Sequence, residues 1–367
     1  MKGKILILAN SSVGLYIFRS ELIRELARDY EVYASTPRGD HFDELADVGC
    51  HAIETEVDRR GLNPFRDLRL LATYTKLIRS IRPDLVITYT IKPNVYGGYA
   101  ARRAGVPYAV NVTGLGTAFQ RSGILRSVVT RLNRIGLKGA TTVFFENTEN
   151  RDIFCRLNIV REQQCHVLHG AGVDLDRYRL AQYPPEGTAV QFLFIGRVMH
   201  EKGVDELFAA MQHLHDEGKA CVLNVVGDTE EDYRERLQAG ERAGWLVYHG
   251  YQTDVRPFIA RAHCIVLPSY HEGMANVNLE GAAMGRPIIT TRIHGCMEAV
   301  QEGESGFLCE PQNADSLYEV MDRFLTLSGA EREAMGAAGR AHMQAVFDKK
   351  QVVADTVRNL PLPCRMP

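Results

Sequence analysis

The sequence predicts an α/β protein made of two doubly wound, Rossmann-like domains in succession. Apolar runs of strand length alternate with amphipathic runs of helix length along almost the whole chain. This alternation is typical of parallel sheets covered by helices. A polar, proline-bearing segment at 182–187 (QYPPEG) interrupts it, and the alternation then resumes. With 367 residues, each half is long enough to bury a core of its own.

The predicted elements follow the same order in both halves. In the first half, strands are predicted near 4–9, 31–35, 52–55, 84–88, 107–112, 141–145 and 165–168, and helices near 16–28, 41–48, 65–80, 94–104, 123–137 and 148–157. In the second half, strands are predicted near 190–195, 221–227, 245–248, 263–267, 287–290 and 306–309, and helices near 202–217, 229–242, 254–260, 276–284, 313–326 and 330–346. We therefore expect domains at 1–175 and 176–346, with a C-terminal helix within 347–360 packing back on the first domain.

Composition and charge indicate an ordinary globular protein and bear on the partners that it can bind. A hydrophobic content of 45% with 24% charged residues is ordinary for a globular protein. The net charge of −2 argues against a general nucleic-acid binder. Residues 1–170 carry 24 Lys and Arg against 17 Asp and Glu, whereas the remainder carries 19 against 28. This asymmetry is compatible with chance, or it indicates that the first half meets an anionic surface or substrate.

The cysteines and the lengths of the apolar runs indicate where in the cell the protein is located. The eight cysteines are scattered without a CxxC pair, which favours a reduced, intracellular protein with buried free thiols. The apolar run Ile5 to Ala9 is too short for a signal sequence. No apolar stretch reaches the roughly 20 residues of a membrane-spanning helix. The sequence predicts a cytoplasmic protein, or one that lies on a membrane without crossing it.

Two carboxylates are predicted at the end of a buried strand in the second half. The apolar run 265–267 ends at Pro268, Glu272 follows in the loop, and a helix is predicted from Asn276 as its N-cap. Glu280 lies in the first turns of that helix. Because ligands bind at the carboxyl edge of open α/β sheets, both acids are candidate site residues. The alternative is that each is an ordinary solvated acid.

Two cations follow the first strand of the second half. In FIGRVMHEKGVDEL, Arg197 and Lys202 bracket the loop that leads into a helix predicted near Gly203. Cations beside a helix N-terminus make a site for a diphosphate. In isolation, solvated loop charges are an equally ordinary interpretation. The strand-turn-helix at 4–28, with Gly14 in its turn, is a weaker phosphate cradle because it lacks the full G-x-G-x-x-G.

These residues carry a family resemblance. The stretch PSYHEGMANVNLEGAAMGRPII, with seven residues between Glu272 and Glu280, resembles the signature of family 4 glycosyltransferases. Arg197 and Lys202 match the family pattern G-R-x4-K-G, and the segments at 225–228, 249–251, 295–300 and 306–308 are similar to further family marks. The resemblance implies the GT-B fold, in which two Rossmann-like domains face across a cleft.

The resemblance also implies roles. Arg197 and Lys202 would hold the diphosphate of a nucleotide sugar and stabilise the leaving group. Glu280 would chelate the ribose diol, and Glu272 would face the donor sugar beside the backbone of 273–277. The implied catalytic residues are Glu272, Arg197 and Lys202. The implied donor-binding residues are Gly14, Gly196, Arg197, Lys202, Gly227, Gly250, Tyr251, Glu272, Gly273, Met274, Ala275, Asn276, Val277 and Glu280.

The implied reaction retains anomeric configuration and uses a UDP-sugar as co-substrate. On that reaction, the departing phosphate helps to take the acceptor proton, and the two cations stabilise the developing charge. The sequence has no Asp-x-Asp between a strand and a loop to hold a metal, so we expect no metal cofactor.

The first half contains the segments that are candidates for binding the acceptor. The segments at 10–19, 58–64, 89–94 and 112–116 resemble the subgroup that acts on polyprenyl-diphosphate-linked saccharides in bacterial glycan assembly. Arg59 and Lys92 are candidates for the acceptor phosphate, and Thr113 and Gly114 for further acceptor contacts. Many relatives place a histidine after the fifth strand, where this chain has 113–116 (TGLG), so no catalytic histidine is carried over. The alternative for the two cations is plain surface charge.

The segment 119–140 is basic and amphipathic. It carries five cations and no acid: Arg121, Arg126, Arg131, Arg134 and Lys138. Such a helix is typical of binding to an anionic membrane surface. Its apolar side is equally suited to packing on the sheet. A lipid-diphosphate-linked acceptor would place the protein at the inner face of the cell membrane.

The resemblance leaves two other classes open. A UDP-sugar 2-epimerase shares the fold but needs acid and base groups for elimination. A non-catalytic nucleotide-sugar binder would not need the acids and cations named above. We expect a glycosyltransferase that moves a hexose or N-acetylhexosamine from UDP to a lipid-diphosphate-linked saccharide.

Overall fold

The computed structural model describes residues 2–58, 63–115, 123–185, 187 and 189–363. The chain divides into two compact units. The first consists of Met1–Ala171 with Lys349–Pro367, and the second of Gly172–Asp348. The last helix of the chain therefore belongs to the first unit.

The first unit contains a parallel sheet of seven described strands. They are β1 (Gly3–Leu8), β2 (Tyr30–Thr36), β3 (Cys50–Glu54), β4 (Leu85–Tyr89), β5 (Tyr108–Val112), β6 (Thr142–Phe145) and β7 (Cys165–Val167). Their order in the sheet is β3-β2-β1-β4-β5-β6-β7, and every pairing is parallel. The direction of winding therefore reverses between β1 and β4, which is the topological switch point of this sheet.

Helices cover both faces of that sheet. Those described are α1 (Ser12–Asp29), α2 (Pro64–Ile81), α3 (Gly98–Ala104), α4 (Ile124–Leu137), α5 (Thr148–Arg156) and α12 (Lys349–Asn359), the last being the C-terminal helix of the chain. Ile5 and Ile7 of β1 pack in one hydrophobic cluster, whereas Leu6 and Leu8 pack in another. Burial on both faces explains why residues 5–8 of β1 form a continuous apolar run.

The second unit repeats this plan with six described strands. They are β8 (Val190–Ile195), β9 (Cys221–Val226), β10 (Leu246–Tyr248), β11 (Cys264–Leu267), β12 (Ile288–Thr291) and β13 (Gly306–Cys309). The order β10-β9-β8-β11-β12-β13 is again entirely parallel and places the switch point between β8 and β11. Its described α-helices are α6 (Val204–Asp216), α7 (Arg234–Ala243), α8 (Arg256–Arg261), α9 (Asn276–Ala283), α10 (Ala314–Thr326) and α11 (Gly329–Val346).

The predicted α/β class with two Rossmann-like sheets is confirmed, and several local predictions are wrong. Helix α1 begins at Ser12, capped by the Ser11 side chain, so Gly14 lies in the first helical turn and not in a loop. Residues 229–233 precede α7, which begins only at Arg234. Asn276 is the first residue of α9, and the N-cap is Ala275.

Two shorter elements differ in type from the predicted α-helices. Asp43–Val48 is a 3-10 helix, and Pro93–Gly97 is a turn of π-helix that continues into α3.

Of the described cysteines, Cys155 and Cys165 are half-buried and the others are buried, and all are free thiols. The expectation of buried thiols is therefore wrong for this pair. Among the described helices, none is both long and apolar enough to cross a membrane.

The buried Arg286 ties the end of α9 to neighbouring segments. Its guanidinium donates to the carbonyl oxygens of Ile259 at 3.0 Å, Ala260 at 2.7 Å and Gln182 at 2.8 Å. Burial lowers its pKa to about 10. A cation without solvent is tolerated here because carbonyl oxygens surround it.

Candidate functional site

The two loops at the switch point of the second sheet hold the predicted catalytic residues. The loop after β8 begins at Gly196 and carries Arg197 and Lys202, and the loop after β11 carries Glu272. Because β8 and β11 are neighbours and parallel, their carboxyl ends open at one edge of the sheet. The topology therefore places the loops with the two cations and the carboxylate side by side.

Lys202 and Glu272 form an ion pair. The Lys202 ammonium donates to Oε1 of Glu272, and their side chains are only 18% and 14% exposed. The alternative of solvated charges is wrong for both residues. A pair largely withdrawn from water interacts more strongly than a surface pair. Each charge is thus held in place by the other, at the position where the sequence predicts a donor site.

A close approach of the two loops brings this pair together. Gly203 has a φ of 70°, and a Cβ there would lie 2.0 Å from the carbonyl oxygen of Pro268. The Tyr270 amide donates to the Glu201 carbonyl at 3.0 Å, which joins the loops a second time. Only glycine fits the position at 203, for both steric and conformational reasons.

Arg197 lies on the same loop and has a different partner. Its Nη1 donates to Oε2 of Glu230 at 2.7 Å, and its side chain is 48% exposed. Glu230 lies after β9, where backbone bonds join Val198 to Asp228 and Glu230. The Arg197 guanidinium is therefore held at the surface by a neighbouring loop, and it remains partly open to solvent.

Three of the predicted glycines meet at the ends of β8, β9 and β10. The Gly196 amide donates to Val226, and the Gly227 amide donates to the Gly250 carbonyl at 2.9 Å. Gly227 has a φ of 139°, and a Cβ on it would come within 1.9 Å of the Gly196 carbonyl oxygen. This packing leaves a floor of backbone with no side chain at these three positions. Beside it, Tyr251 is 58% exposed.

The loop between Glu272 and α9 is backed by Gly295. A Cβ at Gly295 would lie 2.6 Å from the Glu272 carbonyl oxygen, and the Ala275 amide donates to the Gly295 carbonyl at 2.7 Å. Met274 and Ala275 are buried, at 6% and 3% exposure. In this loop, therefore, Met274 and Ala275 offer a ligand backbone groups and no exposed side chain. Gly273 lies beside them, and Asn276 and Val277 open α9 and are half-buried.

Glu280 lies on α9 beside the buried Tyr178. Burial raises the pKa of Tyr178, and the adjacent Glu280 carboxylate raises it further. Glu280 itself is half-buried. The carboxylate thus already accepts from one hydroxyl, which is the chemistry that binding to a ribose diol would use.

His200 is a residue of this loop that the sequence analysis missed. Its Nδ1 lies 2.6 Å from Oδ2 of Asp205, and its amide donates to Glu231 at 2.8 Å. The Asp205 hydrogen bond raises the pKa of His200 above its usual value of 6.5. The acidic run at 230–232, directly after a glycine turn, was the signal that could have predicted the partners of Arg197 and His200.

In the first unit, Lys92 is not a free cation. Its Nζ lies 2.7 Å from Oδ1 of Asp67, and the Tyr96 hydroxyl donates to the other oxygen of that carboxylate at 2.8 Å. The Lys92 side chain is 12% exposed, so the alternative of a plain surface charge is also wrong. Arg59 lies outside the described residues. Thr113 and Gly114 follow β5, at the carboxyl edge of the sheet.

A buried ion pair at the same edge was also missed. Nη2 of Arg19, on α1, lies 2.7 Å from Oε1 of Glu146, which directly follows β6. Both side chains are nearly buried, at 11% and 13% exposure, and the guanidinium lies 5.0 Å from the ring centroid of Tyr89. The sequence offered no signal for this pair because 126 residues separate its members.

Among the described residues, no group of three or more His, Cys, Asp or Glu side chains is arranged to hold a metal ion. The predicted donor site includes the positively charged side chains of Arg197 and Lys202.

Comparisons with known proteins extend over both units. The family model described as "Glycosyl transferase 4-like" matches residues 4–147, and the model "Glycosyl transferases group 1" matches residues 189–326. Together these stretches take up more than half of the chain. The predicted family resemblance is confirmed.

Relatives and solved structures agree with the family models. The N,N'-diacetylbacillosaminyl-diphospho-undecaprenol alpha-1,3-N-acetylgalactosaminyltransferase of Campylobacter jejuni is 27% identical over 87% of this chain and 88% of its own. The UDP-Gal:alpha-D-GlcNAc-diphosphoundecaprenol alpha-1,3-galactosyltransferase of Escherichia coli is 25% identical over 72% of each chain. The crystal structure of HepE from Anabaena in complex with UDP-glucose superposes with a TM-score of 0.80 at 19% identity, over 97% of this chain and 100% of its own. The chain therefore belongs to the glycosyltransferase family that these two models, group 1 and 4-like, describe, and it is a glycosyltransferase with the GT-B fold.

Proposed function

We propose that this glycosyltransferase moves a hexose or N-acetylhexosamine from a UDP-sugar to a polyprenyl-diphosphate-linked saccharide in bacterial surface-glycan assembly. The observation that carries the proposal is the ion pair of Lys202 with Glu272 at the switch point of the second sheet. The activities of the Campylobacter jejuni and Escherichia coli relatives support the acceptor class, and that of the latter supports UDP as the carrier.

The second unit binds the donor in this proposal. Arg197 and Lys202 bind the diphosphate by charge-assisted hydrogen bonds, and Glu280 accepts from the ribose hydroxyls. Glu272 and the backbone of 273–277 contact the sugar. The backbone floor formed by Gly196, Gly227 and Gly250 admits the nucleotide closely, and the exposed Tyr251 borders the base.

The chemistry follows from these contacts. The bond between the anomeric carbon and the UDP oxygen breaks, and the acceptor hydroxyl oxygen bonds to that carbon on the same face, so configuration is retained. The acceptor proton passes to the departing phosphate. Arg197 and Lys202 stabilise the negative charge that develops on UDP, which is electrostatic stabilisation by groups already in place. Lys202 must leave Glu272 to do so, and Glu272 is then available to the sugar hydroxyls.

Side-chain cations supply the charge that a metal ion supplies in other diphosphate sites. We therefore propose that transfer is metal-independent. Turnover should be unchanged by a chelator and should not rise with added Mg²⁺ or Mn²⁺. A strict metal requirement would contradict this part of the proposal.

The first unit binds the acceptor in this proposal. Thr113 and Gly114, at the carboxyl edge of its sheet, contact the acceptor saccharide, and Arg59 and Lys92 contact its phosphate. Because Lys92 is paired with Asp67 at 2.7 Å, its ammonium must exchange that carboxylate for the phosphate. An acceptor anchored in lipid would keep the enzyme at the inner face of the cell membrane as a peripheral protein. The basic segment 119–140 is the proposed contact with that anionic surface.

The test begins with a thermal-shift panel of UDP, GDP and their sugars, because a bound ligand raises the melting temperature by mass action. UDP and one UDP-sugar should stabilise the protein, and that sugar should then be transferred to a polyprenyl-diphosphate-linked saccharide with retained configuration. Stabilisation by GDP alone would contradict the donor assignment. Epimerisation of a UDP-sugar without any acceptor would overturn the proposed reaction.

A further inference from the structure

A buried tyrosine lies against Glu280, the residue predicted to bind the ribose. The hydroxyl of Tyr178 donates to the Glu280 carboxylate, and Tyr178 is only 8% exposed. It packs in the hydrophobic cluster that contains Leu279 and Ala282 of α9, the helix that carries Glu280. Burial raises the pKa of Tyr178, and the carboxylate raises it further. The hydroxyl therefore keeps its proton and donates to Glu280 throughout the neutral range.

The turn that precedes Tyr178 is built by Asp174. Its Oδ1 accepts from the amides of Asp176 at 2.9 Å and Arg177 at 3.0 Å, and the Tyr178 amide donates to the Asp174 carbonyl at 2.8 Å. An aspartate that accepts from the amides just after it is a common way to fix a tight turn. The sequence VDLDRY at 173–178 therefore sets the direction in which the chain presents the tyrosine.

Arg340, on α11, joins this turn to the end of α9. Its Nη1 donates to the carbonyl oxygens of Tyr178 at 2.8 Å and of Ala283, the last residue of α9, at 2.7 Å. The last carbonyls of a helix lack partners within the helix, so a cation is stabilising there. The Ala181 amide donates to the Met284 carbonyl at 3.3 Å, which joins the same two segments again. The tyrosine and the carboxylate are thus held together by contacts other than their own hydrogen bond.

The carboxylate is an acceptor that a buried tyrosine does not need. Tyr183, five residues further on and also 8% exposed, donates its hydroxyl to the His263 carbonyl at 2.7 Å. Tyr178 donates instead to an ionised group with about four acceptor positions, so one hydroxyl leaves room for the two hydroxyls of a ribose. A glutamate that is already held in one rotamer loses less side-chain entropy when it binds.

We propose that Tyr178 is a positioning residue that holds the Glu280 carboxylate ready to accept from both ribose hydroxyls. Tyr178 thereby sets the preference for a ribonucleoside diphosphate. The inference rests on the proposed donor site and deepens it. Tyr178 acts through Glu280 and does not itself contact the nucleotide, and Arg340 fixes the backbone of Tyr178 against α9.

The experiment compares UDP with 2′,3′-dideoxy-UDP, which lacks both ribose hydroxyls, by isothermal titration calorimetry. The wild type should bind UDP about ten-fold more tightly or better, because hydrogen bonds to a charged group are lost with the dideoxy ligand. Tyr178→Phe should weaken UDP binding by about three- to ten-fold and leave dideoxy-UDP binding within about two-fold of the wild type. Tyr183→Phe is the matched control, since it removes a hydroxyl of equal burial and should leave both affinities unchanged.

A double variant separates positioning from packing. When Glu280→Ala is already present, Tyr178→Phe should change neither affinity, because the two residues act as one unit. A further loss of UDP affinity in the double variant would overturn the proposal. Thermal unfolding first checks that each variant folds. If Tyr178→Phe does not fold, Arg340→Lys replaces it and should also lower the ratio, since one ammonium cannot reproduce the contacts of the guanidinium fork.

The remaining outcomes distinguish this inference from the donor site on which it rests. A wild type that binds both ligands equally would defeat the ribose role of Glu280, and the role of Tyr178 with it. Discrimination in the wild type that Tyr178→Phe leaves intact would defeat the role of Tyr178 alone. Equal weakening of both ligands by Tyr178→Phe, or the same change of ratio in Tyr183→Phe, would mean a structural effect and would also overturn the proposal.

Discussion

The ammonium of Lys202 and the carboxylate of Glu272 form an ion pair that joins two loops, although the two residues are 70 positions apart in the chain. Both side chains are less than a fifth exposed. The pair exists because Gly203 lets the loop after β8 touch Pro268. In the proposed reaction, each partner is exchanged for part of the donor: the ammonium for the diphosphate and the carboxylate for the sugar.

In the proposed donor site, Glu230 competes with the diphosphate for Arg197. Because its carboxylate lies 2.7 Å from the guanidinium, the diphosphate must displace it. Glu230→Gln should therefore tighten UDP binding by about two- to five-fold, the range of a partly exposed ion pair. Isothermal titration calorimetry measures this change. Asp232→Asn is the matched control, since it removes the same charge from the same loop and should have little effect. Weaker UDP binding by Glu230→Gln would mean that this carboxylate belongs to the donor site.

Gly203→Ala should destabilise the second unit more than a glycine substitution of the same backbone type. Gly203 and Gly218 have φ angles of 70° and 72°, but only Gly203 has an atom, the Pro268 oxygen at 2.0 Å, in the place of the new Cβ. Gly218→Ala should cost about 1–2 kcal/mol for the left-handed conformation alone. Gly203→Ala should cost about 1–3 kcal/mol more, because the two loops must separate. Urea unfolding measures both, and equal losses would refute the close approach.

His200 should contribute to stability in a pH-dependent way. The Asp205 hydrogen bond raises its folded pKa above 6.5, so the folded protein holds the proton more tightly than the unfolded chain. The contribution is therefore fully present below about pH 6.5 and is lost as the pH rises through the folded pKa. Because the ring is 61% exposed, the effect should stay within the ~0.2–1 kcal/mol of surface pairs.

His200→Gln should remove this pH dependence when the free energy of unfolding is measured across that range. His215→Gln, an exposed histidine on the same helix α6, should leave the profile as in the wild type. An unchanged profile in His200→Gln would show that Asp205 does not hold the proton on this ring.

The fold was more predictable than the side-chain partners. Runs such as 5–9 and 264–267 are continuous and apolar because both faces of the strands are buried, and that pattern can be read directly. Helix starts were harder: Gly14 suggested a loop, but Ser11 caps α1 and carries the helix through it. Propensity disfavours glycine in a helix by only about 1 kcal/mol, which a cap and a buried face outweigh.

Of the candidate site, the sequence predicted that the loops carrying Lys202 and Glu272 lie at one sheet edge, because both residues match the family pattern. Pairings across the chain, such as Lys92 with Asp67 and Arg19 with Glu146, depend on strand order and loop contacts. Strand order is not encoded in any local pattern. For this reason the sequence left Lys92 as a candidate for the acceptor phosphate or as a surface charge, and did not predict that Asp67 pairs with it and that its side chain is nearly buried.

The most direct test of the donor site is turnover by Lys202→Ala and Glu272→Ala with a UDP-sugar and a polyprenyl-diphosphate-linked acceptor. Each variant should fold, which thermal unfolding checks first. Lys202→Ala should lower kcat by about 10²–10³-fold, the effect of removing a donor that stabilises transition-state charge, and Glu272→Ala should also lower kcat/KM severely. Turnover like that of the wild type in both variants would contradict the account.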